Sequence, residues 1–259
     1  MNKEILFFIL ISLFILIISF FYILTRVLYK YFKTPSSIWK VWYNYISKYN
    51  LQTMNYGYNE LDYIPTEKDL KDVDFLSKKL YWKVSNLKQI NLSRNETILE
   101  VGCGRGGGIY FLAEKFKEYN FIGLDYSEGA IDSAKKKFIL PNLKFIKGDA
   151  TNLPFKDNSI GTIINIESSH CYPNFSKFIE ESRRVLRTNG HFLYADFKRD
   201  CLHGIQKEFE VVKVENISPN VIDSMDRMIP VRKYQINQIM LSSNIFDKII
   251  IRSFSGEFT

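Results

Sequence analysis

The sequence has few cysteines and no pair of them spaced as metal ligands. The three that it has are Cys103, Cys171 and Cys201, and no two of them form a CxxC motif. An odd, scattered set argues against a disulfide framework and against a structural zinc site. The sequence therefore predicts a protein that works on the reducing, cytosolic side and that binds no metal.

Repeats, low-complexity stretches and Pro/Gly-rich linkers are also absent beyond residue 60, which predicts one continuous domain there. Hydrophobic residues make up 46% of the chain and aromatic residues 15%, so the composition excludes an intrinsically disordered protein. A length of 259 residues is enough for one large α/β domain with additions. It is too short for two ordinary domains and their linkers.

One long apolar run stands near the start of the chain. Residues 5–25 contain no charged side chain, and these 21 residues match the length that a helix needs to cross a bilayer. A cleaved signal peptide is the alternative, but the run is longer than a signal core and no cleavage motif follows it. The sequence predicts a membrane anchor with its basic flank over residues 1–33, and a transmembrane helix at about residues 5–25.

Positive charge is concentrated just after this run. Lys and Arg number 35 against 28 Asp and Glu, a net charge of +7. Five basic residues precede Glu60, the first acid after the run: Arg26, Lys30, Lys33, Lys40 and Lys48. By the positive-inside rule, this predicts a single-pass protein whose main body faces the cytosol. Tryptophans and tyrosines lie among these lysines, a combination that fits a lipid headgroup zone better than a nucleic-acid site.

From residue 96 onward the hydrophobic pattern alternates between strand and helix. Segments rich in β-branched and aromatic residues predict strands at 96–102, 120–126, 143–149, 161–167 and 191–197. Apolar residues at helical spacing predict helices at 66–87, 109–117, 130–139 and 175–187, the last stopped by Thr188-Asn189-Gly190. Such alternation is typical of a parallel, doubly wound sheet, whose ligands bind at the carboxyl ends of the strands.

A glycine-rich string, EVGCGRGGG, occupies residues 100–108 after the first predicted strand. It satisfies both GxGxG and the dinucleotide pattern GxGxxG, so by itself it leaves the cofactor open. A carboxylate at Glu100 would repel a pyrophosphate but attract the ammonium and sulfonium groups of S-adenosylmethionine. This disfavours an NAD-dependent reductase.

Acidic residues end the next two predicted strands. Asp125 lies 19 residues beyond Gly106, where a carboxylate can accept hydrogen bonds from both ribose hydroxyls of either cofactor. Ser127 is available to cap the following helix. Farther on, Asp149 can accept the adenine amino group while the Ala150 N–H meets a ring nitrogen.

Four ordered motifs together resemble the class I S-adenosylmethionine-dependent methyltransferases. They are ILEVGCGRGGG, FIGLDYS, KGDATNLPF and RRVLRTNGHF, within residues 96–197. The resemblance implies a Rossmann-like α/β fold with a seven-stranded sheet, helices on both faces and an antiparallel final hairpin. VVKVENIS (211–218) and KIIIRSF (248–254) are then the predicted last two strands. The predicted methyltransferase domain covers residues 91–259, after juxtamembrane and cap helices at 34–90.

The resemblance also assigns the cofactor contacts. Glu100, Gly102, Gly104 and Gly106 are expected at the methionine end of S-adenosylmethionine. Asp125, with the adjoining Tyr126, is expected at the ribose, and Asp149 with Ala150 at the adenine. More narrowly, MNYGY (54–58), INIESSHCYPNF (164–175) and GHFLYADF (190–197) look like the phthiotriol and phenolphthiotriol dimycocerosate methyltransferase branch.

Methyl transfer to a hydroxyl needs alignment and a base. His170 lies three residues past the fourth predicted strand, and neutral imidazole suits a base near pH 7. Asp196, at the end of the fifth, can orient His170 and stabilise its imidazolium. Glu167 is a further catalytic candidate, for contact with the substrate or with the cofactor's amino group. In the enzymes that the chain resembles, the region of residues 38–58 folds over the active site, so Tyr56 and Tyr58 are expected to help to close it.

The sequence thus predicts a membrane-anchored methyltransferase that methylates a hydroxyl of a lipid or another hydrophobic small molecule. Two alternatives stay open at this point. One is sterol-type C-methylation, in which acids and aromatic rings stabilise a cation. The other is a catalytically inactive, membrane-tethered ligand-binding protein.

Overall fold

The computed structural model describes residues 52–61, 66, 72, 74–88, 90, 92–197 and 201–241, with the backbone alone for 231–241. The predicted membrane anchor, most of the juxtamembrane region and the predicted strand at 248–254 lie outside these residues. No helix within the described ranges combines the length and the apolar character that a bilayer crossing requires.

The centre of the structure is a parallel sheet of five strands in the order β3-β2-β1-β4-β5. Their bounds are β1 Thr97–Val101, β2 Asn120–Asp125, β3 Leu143–Lys147, β4 Ile160–Ile166 and β5 Leu186–Ala195. All four strand pairings are parallel, which confirms the predicted doubly wound arrangement. The chain order reverses between β1 and β4, and a crevice for ligands forms at such a switch point.

Helices cover both faces of the sheet, as predicted. They are α1 Phe75–Ser85, α2 Gly107–Lys115, α3 Glu128–Lys137, α4 Phe175–Val185, α5 Cys201–Gln206 and α6 Ser218–Leu241. Neighbouring residues of a strand point to opposite faces. In β1, Ile98 accordingly belongs to a core cluster with residues of α1, α2 and α3, whereas Leu99 belongs to a second cluster with residues of α4 and α5.

The start of β5 differs from the prediction. Helix α4 ends at Val185, and the chain enters β5 at Leu186 instead of stopping the helix at Thr188–Gly190. Leu186 pairs with Ile160 of β4, and the next paired residue of β5 is His191, opposite Thr162. The predicted stop residues lie between these two pairs and form an irregularity within the strand. Asn189 adopts a left-handed conformation (φ 60°) there, which lets the extra residues be accommodated without breaking the pairing.

The prediction of a strand over residues 211–218 is wrong. Residues 211–217 belong to no strand or helix, and Ser218 begins α6. Val212 and Val214 are 91% and 65% exposed, so no strand of the described residues covers them. Five of the seven expected strands are therefore present in the described part of the chain. Of the helix predicted over 66–87, residues 75–85 are helical, and the left-handed Asn86 ends it.

Candidate active site

The loops after β1 and β2 meet at the carboxyl edge of the sheet. The backbone N–H groups of Gly102 and Cys103 both donate to Leu124 O, at 2.8 and 3.0 Å. The N–H of Gly104 donates to Asp125 Oδ2 at 2.8 Å. The glycine-rich loop is thereby fixed against the end of the neighbouring strand.

Glycine is required at two of the predicted cofactor positions. Gly102 and Gly106 have φ values of 77° and 81°, in the left-handed region that disfavours other residues. A Cβ atom on Gly102 would lie 2.5 Å from Ser168 Oγ and from the Tyr172 hydroxyl, and one on Gly106 would lie 2.4 Å from the Phe145 ring. Gly104 shares the conformation, with a φ of 53°.

Glu100 is completely buried at the end of β1. The Tyr81 hydroxyl donates a hydrogen bond to its Oε1 at 2.6 Å. Its Oε2 has no hydrogen-bond partner among the described residues. Burial raises the pKa of Glu100 to about 8, the Tyr81 hydrogen bond opposes this rise, and nearby Asp125 adds to it. A buried carboxyl group with one open oxygen fits a cationic ligand group, as the ammonium of S-adenosylmethionine would be.

Asp125 lies at the end of β2 and is also buried. Its Oδ1 accepts from Ser127 N and its Oδ2 from Gly104 N, both at 2.8 Å. Burial raises the pKa of Asp125, although these backbone hydrogen bonds lower it. Each carboxylate oxygen can accept more than one hydrogen bond, so the site still fits ribose hydroxyls. Tyr126 is exposed beside it, and Ser127 Oγ accepts from Ala130 N as the predicted cap of α3.

The segment after β3 holds the two residues expected at the adenine. Asp149 Oδ1 accepts hydrogen bonds from the N–H and hydroxyl groups of Thr151, at 2.8 and 2.7 Å, which orients this carboxyl group. The adjoining Ala150 is buried.

Sequence reasoning missed the two side chains that anchor this segment. Glu181 Oε2 accepts from Leu153 N at 2.8 Å, and Arg184 donates to the carbonyl oxygens of Leu153 and Phe155, both at 2.9 Å. Arg184 also pairs with Glu181 at 2.7 Å. The signal that could have identified Arg184 is the motif RRVLR at residues 183–187, which contributes to the family resemblance.

The structure brings His170 and Asp196 together. His170 lies on a short 3-10 turn (Ser169–Cys171) after β4, and its Nδ1 is 2.9 Å from Asp196 Oδ1. Asp196 Oδ2 accepts from His170 N at 3.2 Å and from the Ser169 hydroxyl at 2.8 Å. The Asp196 side chain is 0% exposed and that of His170 is 23% exposed. Ser169, which also lies 2.8 Å from the Tyr194 hydroxyl, was not identified from the sequence.

These contacts fix the protonation pattern of the imidazole. Burial acts to raise the pKa of Asp196, but the hydrogen bonds and charge of His170, with Ser169, lower it overall. An ionised carboxylate only accepts hydrogen bonds, so the Nδ1 of His170 carries the hydrogen between them. Nε2 of a neutral His170 is then the nitrogen that can accept a proton.

Glu167 lies between this pair and the segment of residues 52–61. It has a φ of 44°, unusual for a residue other than glycine, and its Oε2 accepts from Tyr56 N at 2.8 Å. Burial raises the pKa of Glu167 to about 7, against the effect of the Tyr56 hydrogen bond. The Tyr56 ring lies 5.8 Å from the Phe197 ring. Tyr58, expected beside Tyr56, is instead buried in the core, where its N–H donates to Leu76 O of α1.

Comparison with known proteins relates this chain to methyltransferases. A family model described as "Methyltransferase domain" matches residues 92–250. The chain is 36% identical over 176 residues to the phthiotriol/phenolphthiotriol dimycocerosates methyltransferase of Mycobacterium tuberculosis, which covers 64% of this chain and 62% of that protein. It is 38% identical over 146 residues to the fatty-acid O-methyltransferase of Mycolicibacterium smegmatis, covering 55% of this chain and 52% of that protein. The chain therefore spans less than two thirds of the length of these curated relatives.

Solved structures share the fold at low sequence identity. The [4+2]-cyclase SpnF has a TM-score of 0.67 at 16% identity, covering 87% of this chain and 92% of that chain. Geranyl diphosphate C-methyltransferase from Streptomyces coelicolor has a TM-score of 0.56 at 14% identity, covering 84% and 93%. The family model covers more than half of this chain, which therefore belongs to the class I S-adenosylmethionine-dependent methyltransferases.

Proposed function

We propose that this protein transfers a methyl group from S-adenosylmethionine to a hydroxyl group of a lipid or another hydrophobic small molecule. The observation that carries the proposal is the hydrogen bond between His170 Nδ1 and Asp196 Oδ1, 2.9 Å long, at the carboxyl edge of the sheet. A fold alone does not decide the reaction, since a protein named as a cyclase shares this one.

The residues around the glycine-rich loop fit S-adenosylmethionine, which when bound supplies an electrophilic methyl group on a sulfonium. Glu100 would hold its ammonium, because Oε2 is buried without a hydrogen-bond partner among the described residues. Gly102, Gly104 and Gly106 would allow close approach to the backbone. Asp125 with Tyr126 would meet the ribose, and Asp149 with Ala150 the adenine.

His170 would act as the general base. Its Nε2 would accept the proton of the acceptor hydroxyl as that oxygen bonds to the methyl carbon in place of the sulfur, so that S-adenosylhomocysteine is the leaving group. Asp196 would hold the ring in the required tautomer and stabilise the imidazolium that results. A base positioned in this way contributes about 10²- to 10⁴-fold to a rate.

Apolar surface beside this pair supports a hydrophobic acceptor. Phe197 is 57% exposed and lies next to His170. The similarity to proteins named for methylating phthiotriol dimycocerosates and fatty acids also supports a hydrophobic acceptor. The uncharged run of residues 5–25 supports a single-pass membrane anchor, and the basic residues after it support a cytosol-facing catalytic domain. An anchor of this kind would keep the active site close to lipid substrates.

The test is transfer of labelled methyl from S-adenosylmethionine to a total lipid extract, with the full chain in detergent or vesicles. A labelled lipid whose methyl is released by ether cleavage is the expected result, and a methyl released by ester hydrolysis would instead identify a carboxyl acceptor. The His170→Ala variant should lose turnover but still bind S-adenosylhomocysteine. Binding of that compound without any labelled product would instead favour a tethered ligand-binding protein.

Glu167 and the nearby aromatic rings favour C-methylation as a second candidate. A buried carboxyl group beside Tyr56 and Phe197 could stabilise a carbocation, as sterol-type methylation requires. A labelled methyl that resists ether and ester cleavage, made equally fast by His170→Ala, would establish this candidate and overturn the base assignment.

A further inference from the structure

Helix α1 contributes a side chain to the centre of the cofactor site. Tyr81 lies outside the stretch matched by the family model, which begins at residue 92. It is nevertheless buried, and its hydroxyl donates to Glu100 Oε1 at 2.6 Å. Two parts of the chain that are 19 residues apart therefore meet through one short hydrogen bond in the interior.

The last glycine of the glycine-rich string, Gly108, is explained by this tyrosine. A Cβ atom on Gly108 would lie 1.8 Å from Cζ of the Tyr81 ring, so the ring occupies the space that any larger residue would need. Gly108 has no positive φ and is not among the residues expected to contact the cofactor. The absence of a side chain at position 108 thus allows Tyr81 to reach Glu100.

The hydrogen bond leaves the Glu100 carboxyl group held at one oxygen and open at the other. Oε2 has no hydrogen-bond partner in the described ranges. Among the described residues, the other titratable groups near Glu100 are Asp125 and Cys103, and the charge of Asp125 opposes ionisation of Glu100. Tyr81 favours the ionised form, because a hydrogen bond donated to a carboxylate stabilises its charge.

We propose that Tyr81 is a positioning residue for the methionine end of S-adenosylmethionine: it holds Oε1 of Glu100 so that Oε2 receives the cofactor's ammonium group. The inference rests on the proposed cofactor contact of Glu100. If Tyr81 has this role, tight cofactor binding requires that α1 is correctly packed, although α1 precedes the stretch that the family model matches. Tyr81 itself takes no part in the chemical step of methyl transfer.

The experiment compares two probes in the full chain with Tyr81→Phe, which keeps the ring and removes the hydroxyl. S-adenosylhomocysteine carries the ammonium group, whereas 5′-methylthioadenosine retains the adenosine and the thioether but lacks the amino acid end. A hydrogen bond to a charged group contributes enough free energy that its loss should weaken the binding of S-adenosylhomocysteine about ten-fold or more. Binding of 5′-methylthioadenosine should stay within about two-fold of the wild-type value, since no charged contact is lost.

Tyr110→Phe is the matched control, because it removes a tyrosine hydroxyl that bonds Glu114 on the exposed side of α2. It should bind both probes like the wild type. In a Glu100→Gln background, Tyr81→Phe should add little further loss, since the charge that the hydroxyl stabilises is already gone.

Unchanged affinity for S-adenosylhomocysteine in Tyr81→Phe, or an equal loss of both probes, would overturn the positioning role. If Tyr81→Phe does not fold, Tyr81→Leu is used, because it also lacks the hydroxyl and adds no atom against Gly108. Tyr81→Leu should lose S-adenosylhomocysteine selectively, and unchanged or unselective binding would again overturn the proposal. Failure of the wild type to bind S-adenosylhomocysteine would instead refute the cofactor assignment itself.

Discussion

The ring of Phe197 lies over the ring of His170, with 4.3 Å between the centroids and 33° between the planes. Phe197 follows Asp196 directly, so the residue that orients the imidazole and the residue that covers it are neighbours in the chain. One short stretch at the end of β5 thereby gives the proposed base both a charged partner and an apolar surface.

Replacement of Phe197 should affect the acceptor more than the cofactor. We expect Phe197→Ala to raise KM for a lipid acceptor about ten-fold, because a large apolar contact is lost. Affinity for S-adenosylhomocysteine should be unchanged. Steady-state kinetics with both substrates varied would measure this, with Ile139→Ala, an exposed apolar residue after α3, as the control. An equal rise in KM for the cofactor would contradict an acceptor-specific role.

Asp196→Asn should keep the shape of the pair and remove its charge. An amide cannot stabilise imidazolium as a carboxylate does, so turnover should fall by about 10²- to 10⁴-fold. Binding of S-adenosylhomocysteine, measured by calorimetry, should change little. A variant with nearly wild-type turnover would show that His170 is not the base. Asp132→Asn, on the exposed face of α3, is the control.

Stability of the ligand-free protein should fall as the pH rises from about 4.5 to about 8. The pKa of Glu100 in the folded protein is about 8, against 4.5 as the ordinary value, so across this window the folded state binds more protons than the unfolded state. One such group changes the free energy of unfolding by at most about 1.4 kcal/mol per pH unit. Glu167 acts in the same direction up to about pH 7.

Urea unfolding at several pH values would measure this slope. Glu100→Gln should flatten it, because an amide does not titrate. Saturating S-adenosylhomocysteine should also reduce it, since the proposed ammonium contact favours the ionised carboxylate. If the unfolding free energy of Glu100→Gln changes with pH as steeply as that of the wild type, another group is responsible for the pH dependence.

Loss of Arg184 should loosen the segment expected at the adenine. Arg184→Ala leaves the carbonyl groups of Leu153 and Phe155 without their donor, which should cost about 1–3 kcal/mol of unfolding free energy. Binding of S-adenosylhomocysteine and of 5′-methylthioadenosine should weaken together, unlike the selective effect expected for Tyr81→Phe. Exposed Arg183→Ala is the control, and selective loss of one probe in Arg184→Ala would contradict the expectation.

The sheet could be predicted from the sequence because its evidence is local. Each buried strand shows as an apolar run, Glu100 and Asp125 lie at the carboxyl ends of β1 and β2, and Asp149 lies two residues after β3. The error at 211–218 has a different origin. The family resemblance implies a strand there, but it does not show whether another strand is available to pair with VVKVENIS.

The contacts that were missed depend on tertiary structure. Tyr81 lies at an apolar position of an amphipathic helix, where an aromatic side chain is expected for packing alone. Nothing in the local pattern relates it to Glu100. The irregularity in β5 likewise depends on the pairing of Thr162 with His191, which local helix and turn preferences do not contain.

The left-handed turn at Glu167 has a consequence for how the site is assembled. The side chains of four successive residues at this turn form hydrogen bonds to three other parts of the chain. Glu167 bonds Tyr56, Ser168 bonds the Val101 carbonyl beside the glycine-rich loop, and Ser169 and His170 both bond Asp196. The backbone of these four residues thus sets the distances among the segment of residues 52–61, the glycine-rich loop and His170, the proposed base. A change in the backbone conformation of Glu167 would therefore displace these three parts of the site relative to one another.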